Sequence, residues 1–267
     1  QTCALPILVH GLASNARLWD GVARHLAEAG HRAISVDLRG HGRSDKPDHG
    51  YDFTTVTDDL IALIDHQQLD RPVVAGQSWG GNLVIELAWR APDKVRGVCA
   101  VDGGTIELGT HYPKWEDCAE RLRPPALVGM RTSRMEGFIR QAHPTWPEEG
   151  IQGAMANFEH RDDGTIAPWL TLERHLKILR GLWEHRPTHR FPKITVPVML
   201  TPADNGQSES WAADKRKAIA EAERLIPQAR THWFEPADHD LHAQFPERLA
   251  RHLLDALDDG FFPKDPA

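Results

Sequence analysis

Val73-Val74-Ala75-Gly76-Gln77-Ser78-Trp79-Gly80-Gly81 carries the decisive pattern of this chain. A short apolar run, Val73–Ala75, reads as a strand and turns at once into a helix expected from Gly80 to about Arg90. Between them stands GxSxG in the context that gives the motif meaning, strand before and helix after. A side chain at Gly76 or Gly80 would crowd so tight a turn, and the turn in exchange pushes Ser78 into a strained, exposed position. The following helix aims its positive end at the same spot, where negative charge on a reacting oxygen would develop. Taken alone, this could be a glycine-rich turn with an idle serine. A histidine placed to act as base later in the chain would make Ser78 a nucleophile.

Outward from this turn, strands and helices alternate. Leu5–Val9 reads as a strand, followed by a helix bearing Leu18, Val22, Leu26 and Ala27 on one face. Ala33–Asp37 is the next strand, and the loop Leu38-Arg39-Gly40-His41-Gly42-Arg43-Ser44 follows it. A helix from about Thr54 to Gln68 turns Val56, Leu60, Leu63 and Ile64 inward. Further strands are expected at Val95–Val101, Ile194–Thr201 and Thr231–Phe234, with helices around Trp211–Leu225 and Pro246–Leu257. Such alternation predicts an α/β fold, a mostly parallel sheet covered by helices on both faces. Residues 104–190 interrupt the alternation and are too long for a strand-to-helix connection. They read as a helical lid, with Thr171 capping a stripe of Leu172, Leu176, Leu179 and Trp183. The core then comprises residues 8–103 and 191–267.

Composition narrows the class. The chain has 267 residues, 40% of them hydrophobic and 26% charged, which is ordinary globular usage. No run approaches the ~18 apolar residues of a membrane span. Thirty-one basic against 38 acidic residues give a net charge of −7 without a basic block, which argues against a nucleic-acid partner. Three cysteines, Cys3, Cys99 and Cys118, show no CxxC and cannot all pair, which argues against a disulfide framework, and a cytoplasmic location is expected. The string Asp238, His239, Asp240, His242 lacks an upstream HxH, so no metal site is expected.

Two more turns complete the chemistry. His10-Gly11-Leu12 follows the first strand, and the sheet would bring this loop beside Ser78. The backbone N–H groups of Leu12 and Trp79 are then the natural oxyanion donors. His239 directly follows the last strand, where a general base can reach Ser78. His242, one helical turn on, is expected to pack or face solvent.

The order strand-HG, strand-DLRGHGRS, strand-GQSWGG, lid, strand-Asp, strand-His resembles the α/β-hydrolase superfamily over nearly the whole chain. That resemblance implies acyl transfer to water without a cofactor: hydrolysis of an ester, thioester or lactone of a small apolar substrate. Ser78 separates the chain from dehalogenase-like and epoxide-hydrolase-like members, which carry Asp at this turn. Leu12 stands where dehalogenases carry Asn, and His10-Gly11-Leu12-Ala13 departs from the HGxP of epoxide hydrolases. Proline iminopeptidases have a similar GGSWG turn, and hydrolase-fold ligand receptors retain a triad with little turnover, so both stay as alternatives. Aromatic and sulfur side chains of the lid (Trp115, Met135, Trp146 and Trp169) are expected at the substrate.

The family places its triad acid at one of two strand ends. Most members use the later one, which points to Asp204; Asp102 is the alternative, on the acid position of the dehalogenase-like branch. One further expectation concerns the start. Gln1-Thr2-Cys3-Ala4-Leu5-Pro6-Ile7 matches a translated sequencing adapter, and the family's usual leading hairpin is not present ahead of the HG strand. The Ala33–Asp37 strand would then form an unpaired sheet edge.

Overall fold

The structure is a computed structural model that describes residues 6–206 and 209–263. The core strands are β1 (Ile7–Val9), β2 (Ile34–Val36), β3 (Val73–Gln77) and β4 (Gly97–Val101), with α1 (Asp20–Glu28), α2 (Phe53–His66) and α3 (Trp79–Arg90) between them. An insertion follows β4: α4 (Leu108–His111), α5 (Trp115–Arg121), α6 (Thr132–Ala142), α7 (Glu148–Met155), β5 (Phe158–His160), β6 (Ile166–Pro168) and α8 (Leu172–Glu184). The chain then returns through β7 (Val198–Thr201), α9 (Glu209–Leu225), β8 (Ala229–Thr231), α10 (Leu241–Gln244) and α11 (Pro246–Asp258).

Six strands form one parallel sheet in the order β2-β1-β3-β4-β7-β8. Side chains alternate across the sheet, so each strand feeds two cores. Val74, Val98 and Ala100 face a cluster built with Val56, Leu60, Leu83 and Leu87 of α2 and α3. Val73, Ala75, Cys99 and Val101 face Val22 and Leu26 of α1 and Leu249, Leu253 and Leu257 of α11. Both faces of β3 and β4 are fully buried, and their continuous apolar runs follow from that position. Of the residues matching an adapter, the first five lie outside the described residues. Ile7 opens β1, buried, in register with Ile34 and Val74.

Three details differ from the sequence reading. The insertion is not all helical, because β5 and β6 pair as an antiparallel hairpin around the Asp162-Asp163-Gly164 turn. Each strand has only three residues, too few for a period to register. Thr171 does cap α8, accepting from the Arg174 N–H at 3.4 Å, but the buried face is His175, Ile178, Leu179 and Leu182, with Leu172 left exposed. The last strand ends at Thr231 rather than Phe234, whose backbone makes a separate bridge to Ala203.

Candidate active site

Strand register sets out the site. Gln77 of β3 lies beside Val101 of β4, and Val101 beside Thr201 of β7. The residues that follow, Ser78 and Asp102, leave neighbouring strand ends side by side. Each continues the ladder by one bond: Ser78 N–H donates to Val101 O at 2.9 Å and Asp102 N–H to Thr201 O at 3.0 Å. Both then turn into the left-handed region, with φ of 54° at Ser78 and 37° at Asp102. Such backbone costs on the order of 1–3 kcal/mol per residue and is kept only where surroundings enforce it. At Ser78 the enforcement is visible: a Cβ on Gly76 would collide with the Gly80 carbonyl, and one on Gly80 would lie 2.6 Å from His10 O. Only glycines let β3, α3 and the end of β1 close this tightly.

The loop after β1 is held against the same point. A Cβ on Gly11 would come within 3.1 Å of Ser78 Cβ. Two histidines clamp the loop from behind. His10 Nε2 accepts the Leu38 N–H at 3.0 Å while its Nδ1 meets Gly11 O at 2.7 Å; His41 Nε2 accepts the Ala13 N–H at 3.3 Å. Burial drives the His10 pKa down to about 4 and that of His41 well below the ordinary imidazole value, so both remain neutral acceptors near neutral pH. Leu12 emerges from this clamp onto a cavity of about 510 Å³ shared with Ser78, Asp102 and His239. Trp79 opens α3, where the first backbone N–H groups have no partner inside the helix.

His239 Nδ1 and Asp102 Oδ2 are 2.6 Å apart. The expectation that Asp204 would meet His239 is therefore corrected. Asp204 lines the same cavity, but its Oδ1 accepts the Gly206 N–H at 2.9 Å and its Oδ2 the Arg216 guanidinium at 3.0 Å. Its backbone is pinned on both sides, N–H to Phe234 O and carbonyl to Ala237 N–H, each at 3.0 Å. Asp102 is buried, and three further contacts hold it: the Ala203 N–H on Oδ1 at 2.9 Å and Lys215 Nζ at 2.8 and 3.1 Å from the two oxygens. Burial pushes its carboxyl up, but His239 and Lys215 outweigh that and hold it below the usual carboxylate range. For His239, surrounding protein favours the neutral ring, yet the Asp102 bond and charge, with Asp240 adding to them, raise its pKa above the ordinary imidazole value. The Gln77 side-chain amide fixes the His239 carbonyl at 3.2 Å.

The sequence profile of the Alpha/beta hydrolase family matches residues 7–252. The chain belongs to this family. It is 26% identical over 258 residues to the 2-(acetamidomethylene)succinate hydrolase of Mesorhizobium japonicum, covering 95% of this chain and 88% of that one. It is likewise 26% identical over 254 residues to the esterase YbfF of Escherichia coli, covering 95% and 92%. Among solved structures, that of E-2-(acetamidomethylene)succinate hydrolase superposes with a TM-score of 0.80 at 24% identity, over 96% of this chain and 91% of the other. A thioesterase domain from the curacin biosynthetic pathway superposes with a TM-score of 0.75 at 21% identity, over 94% and 91%.

In this alpha/beta hydrolase family member none of the four residues expected at the substrate, Trp115, Met135, Trp146 and Trp169, lines the cavity that holds Ser78 and His239. Trp146 donates its Nε1–H to Asp238 at 3.0 Å and packs with Ile139, Ile151 and Met155, and Met135 lies against the same cluster. Trp115 packs edge-on against Trp183, and Trp169 lies under Lys46. Each fastens the insertion to itself or to the core. The cavity wall comes instead from Ile106, Leu108, Leu122, Leu179, Leu182 and Trp211. Leu179 belonged to the predicted stripe; the others carry no pattern that separates them from packing residues. Lys215 and the Ala203 amide were also missed, since neither shows a motif. His242 is fully buried against Trp19 at 4.5 Å, as a packing residue. No helix among the described residues is long and apolar enough to cross a membrane, and they hold no metal-binding cluster.

Proposed function

We propose that the chain is a serine hydrolase that cleaves a carboxylic ester, thioester or lactone through an acyl-enzyme. The observation that carries this reading is Ser78, strained at the β3–α3 turn, in one cavity with a histidine whose Nδ1 meets the buried Asp102 at 2.6 Å. Asp102 selects the tautomer with hydrogen on Nδ1, which leaves Nε2 free to take the Ser78 proton. The Ser78 Oγ attacks the carbonyl, and the N–H groups of Leu12 and Trp79 receive the oxyanion. The imidazolium returns its proton to the leaving group, and water then repeats the sequence on the acyl-enzyme. No cofactor is called on in these steps. Residues 104–190 act as a cap that shapes the acyl pocket.

The wall favours an uncharged, apolar acyl or alcohol portion, since its bulk is leucine, isoleucine and tryptophan. The lining has one lysine or arginine, Lys215, and Asp102 already engages it. The relatives named as an esterase and as a hydrolase agree with the reaction class. Fluorophosphonate labelling and a p-nitrophenyl ester series of increasing acyl length test the reading. Wild type should label and turn over repeatedly; Ser78→Ala should lose both while its melting temperature stays close to wild type. A wild-type protein that binds esters without multiple turnover would instead make this a ligand receptor. Undiminished labelling of Ser78→Ala would move the nucleophile elsewhere.

A further inference from the structure

We propose that Lys215 of α9 is a positioning residue of the triad, holding the Asp102 carboxylate for His239 and setting how strongly that histidine attracts a proton. This rests on the reading of Ser78, His239 and Asp102 as a triad.

Three contacts carry the inference. Lys215 Nζ stands 2.8 Å from Asp102 Oδ1, 3.1 Å from Asp102 Oδ2 and 2.7 Å from Ala203 O. An ammonium has three hydrogens, and these three acceptors use them all. Lys215 lines the cavity yet has no donor left for a substrate, so its work is done on Asp102. The Ala203 N–H closes the arrangement by donating to Asp102 Oδ1 at 2.9 Å. The loop after β7 holds the carboxylate by Oδ1 and α9 reaches both oxygens, with Oδ2 turned to His239 Nδ1. Through Lys215 the helix bridges the end of β4 to the loop after β7.

The electrostatic consequence follows from the same geometry. A carboxylate beside an imidazole favours its protonated form, and a cation sharing that carboxylate opposes it. The groups facing His239 come from several elements. Asp102 at the end of β4 and Asp240 in its own loop raise its proton affinity, and Lys215 lowers it. His242 of α10 also couples to it, and Asp204 lines the cavity with its charge engaged by Arg216. Of these groups, Lys215 is the cation that sits on the triad acid. Removing its charge should make His239 hold its proton to higher pH.

The test is the pH dependence of kcat/KM for a p-nitrophenyl ester in wild type, Lys215→Met, Lys215→Gln and Lys215→Arg. Loss of the charge in the Met and Gln variants should move the acidic limb upward by about one pH unit. It should also lower kcat/KM at pH 6 by about tenfold, the change that one unit produces below the limb. Lys215→Arg, which restores the charge, should return the limb towards its wild-type position. The same titration is read by NMR on the His239 imidazole in a Ser78→Ala background, which needs no turnover. Gln keeps a hydrogen-bond donor in place and guards against a folding defect in the Met variant. If the limb and the imidazole titration in both uncharged variants coincide with wild type, the proposal fails, whatever happens to the melting temperature. A wild type without turnover or labelling would count against the triad reading, and the NMR titration would still decide whether Lys215 governs His239.

Discussion

At the scale of single residues, the aspartate that meets His239 shows how backbone placement overrides the expectation drawn from the family. Asp102 and Asp204 both line the cavity, yet only Asp102 presents an oxygen to His239. Asp102→Asn should therefore lower kcat by about 10⁴-fold with little loss of stability, because the amide supports the wrong imidazole tautomer. Asp204→Asn removes a half-exposed pair with Arg216 and should change kcat less than about threefold, since exposed ion pairs contribute about 1 kcal/mol or less. Steady-state kinetics on the two variants decide between them; a larger loss at Asp204 would reverse the assignment. Ser78, Leu12 and Trp79 could be proposed because each follows closely on a strand that its apolar neighbours announce, whereas His239 stands eight residues beyond the end of β8 at Thr231, in a loop and not directly after the strand. The choice between the two aspartates could not be read the same way. It depends on where the loop after β7 is pinned, by the bonds to Phe234 and Ala237, and these are contacts between residues far apart in the chain.

Elements follow the same division. Strands β3 and β4, buried on both faces, and the amphipathic α11 are written in local patterns that need no knowledge of the rest of the chain. The insertion is not, because its short strands and its aromatic residues take their roles from partners across the fold. The joint between α3 and the insertion is such a case. Asn82 is fully buried on α3; its Oδ1 accepts the Gly104 N–H at 2.8 Å and the Ile106 N–H at 3.3 Å, and its Nδ2 donates to Ile106 O at 2.8 Å. The same Nδ2 lies 3.1 Å from His185 Nδ1 at the far end of the insertion, where His185 meets Glu86 at 3.2 Å and stacks on Phe53 at 3.8 Å. One side chain on α3 thus fixes both ends of the segment that walls the cavity. Asn82→Ala should cost about 2–3 kcal/mol in urea unfolding, since it strands buried N–H and C=O groups without partners. KM should rise as the wall of Ile106 and Leu108 loosens. Unchanged stability would mean that water replaces the amide at this joint.

For the molecule as a whole, the arrangement concentrates chemistry at one end of the sheet and leaves β2 and β8, each half-buried, as its edge strands among the described residues. The residues proposed as triad and oxyanion donors leave the carboxyl ends of β1, β3 and β4 or the loop after β8, because a parallel sheet brings those ends together. The cost of that design is the edge at β2. Among the described residues it pairs with β1 and has no partner on its outer side, and its three residues are only half-buried. Beside it runs a groove of about 830 Å³ in which Ile34, Val36, Leu38, Leu60 and Leu63 are interspersed with Ser35, Asp37, Arg39, Asp45 and Asp59. The row of backbone N–H and C=O groups on such an edge is a template for pairing with another strand. The expected behaviour is association that grows with protein concentration, seen by light scattering. Ile34 lies outside the buried clusters, whereas Val36 packs against one, so Ile34→Lys places a charge on the edge at small expense to the core. That variant should raise the monomer fraction while leaving ester turnover and the His239 titration untouched, because Ile34 does not line the active-site cavity. Equal association by wild type and Ile34→Lys would move the contact away from β2, and a wild type that stays monomeric at every concentration would show that the edge is not a pairing surface.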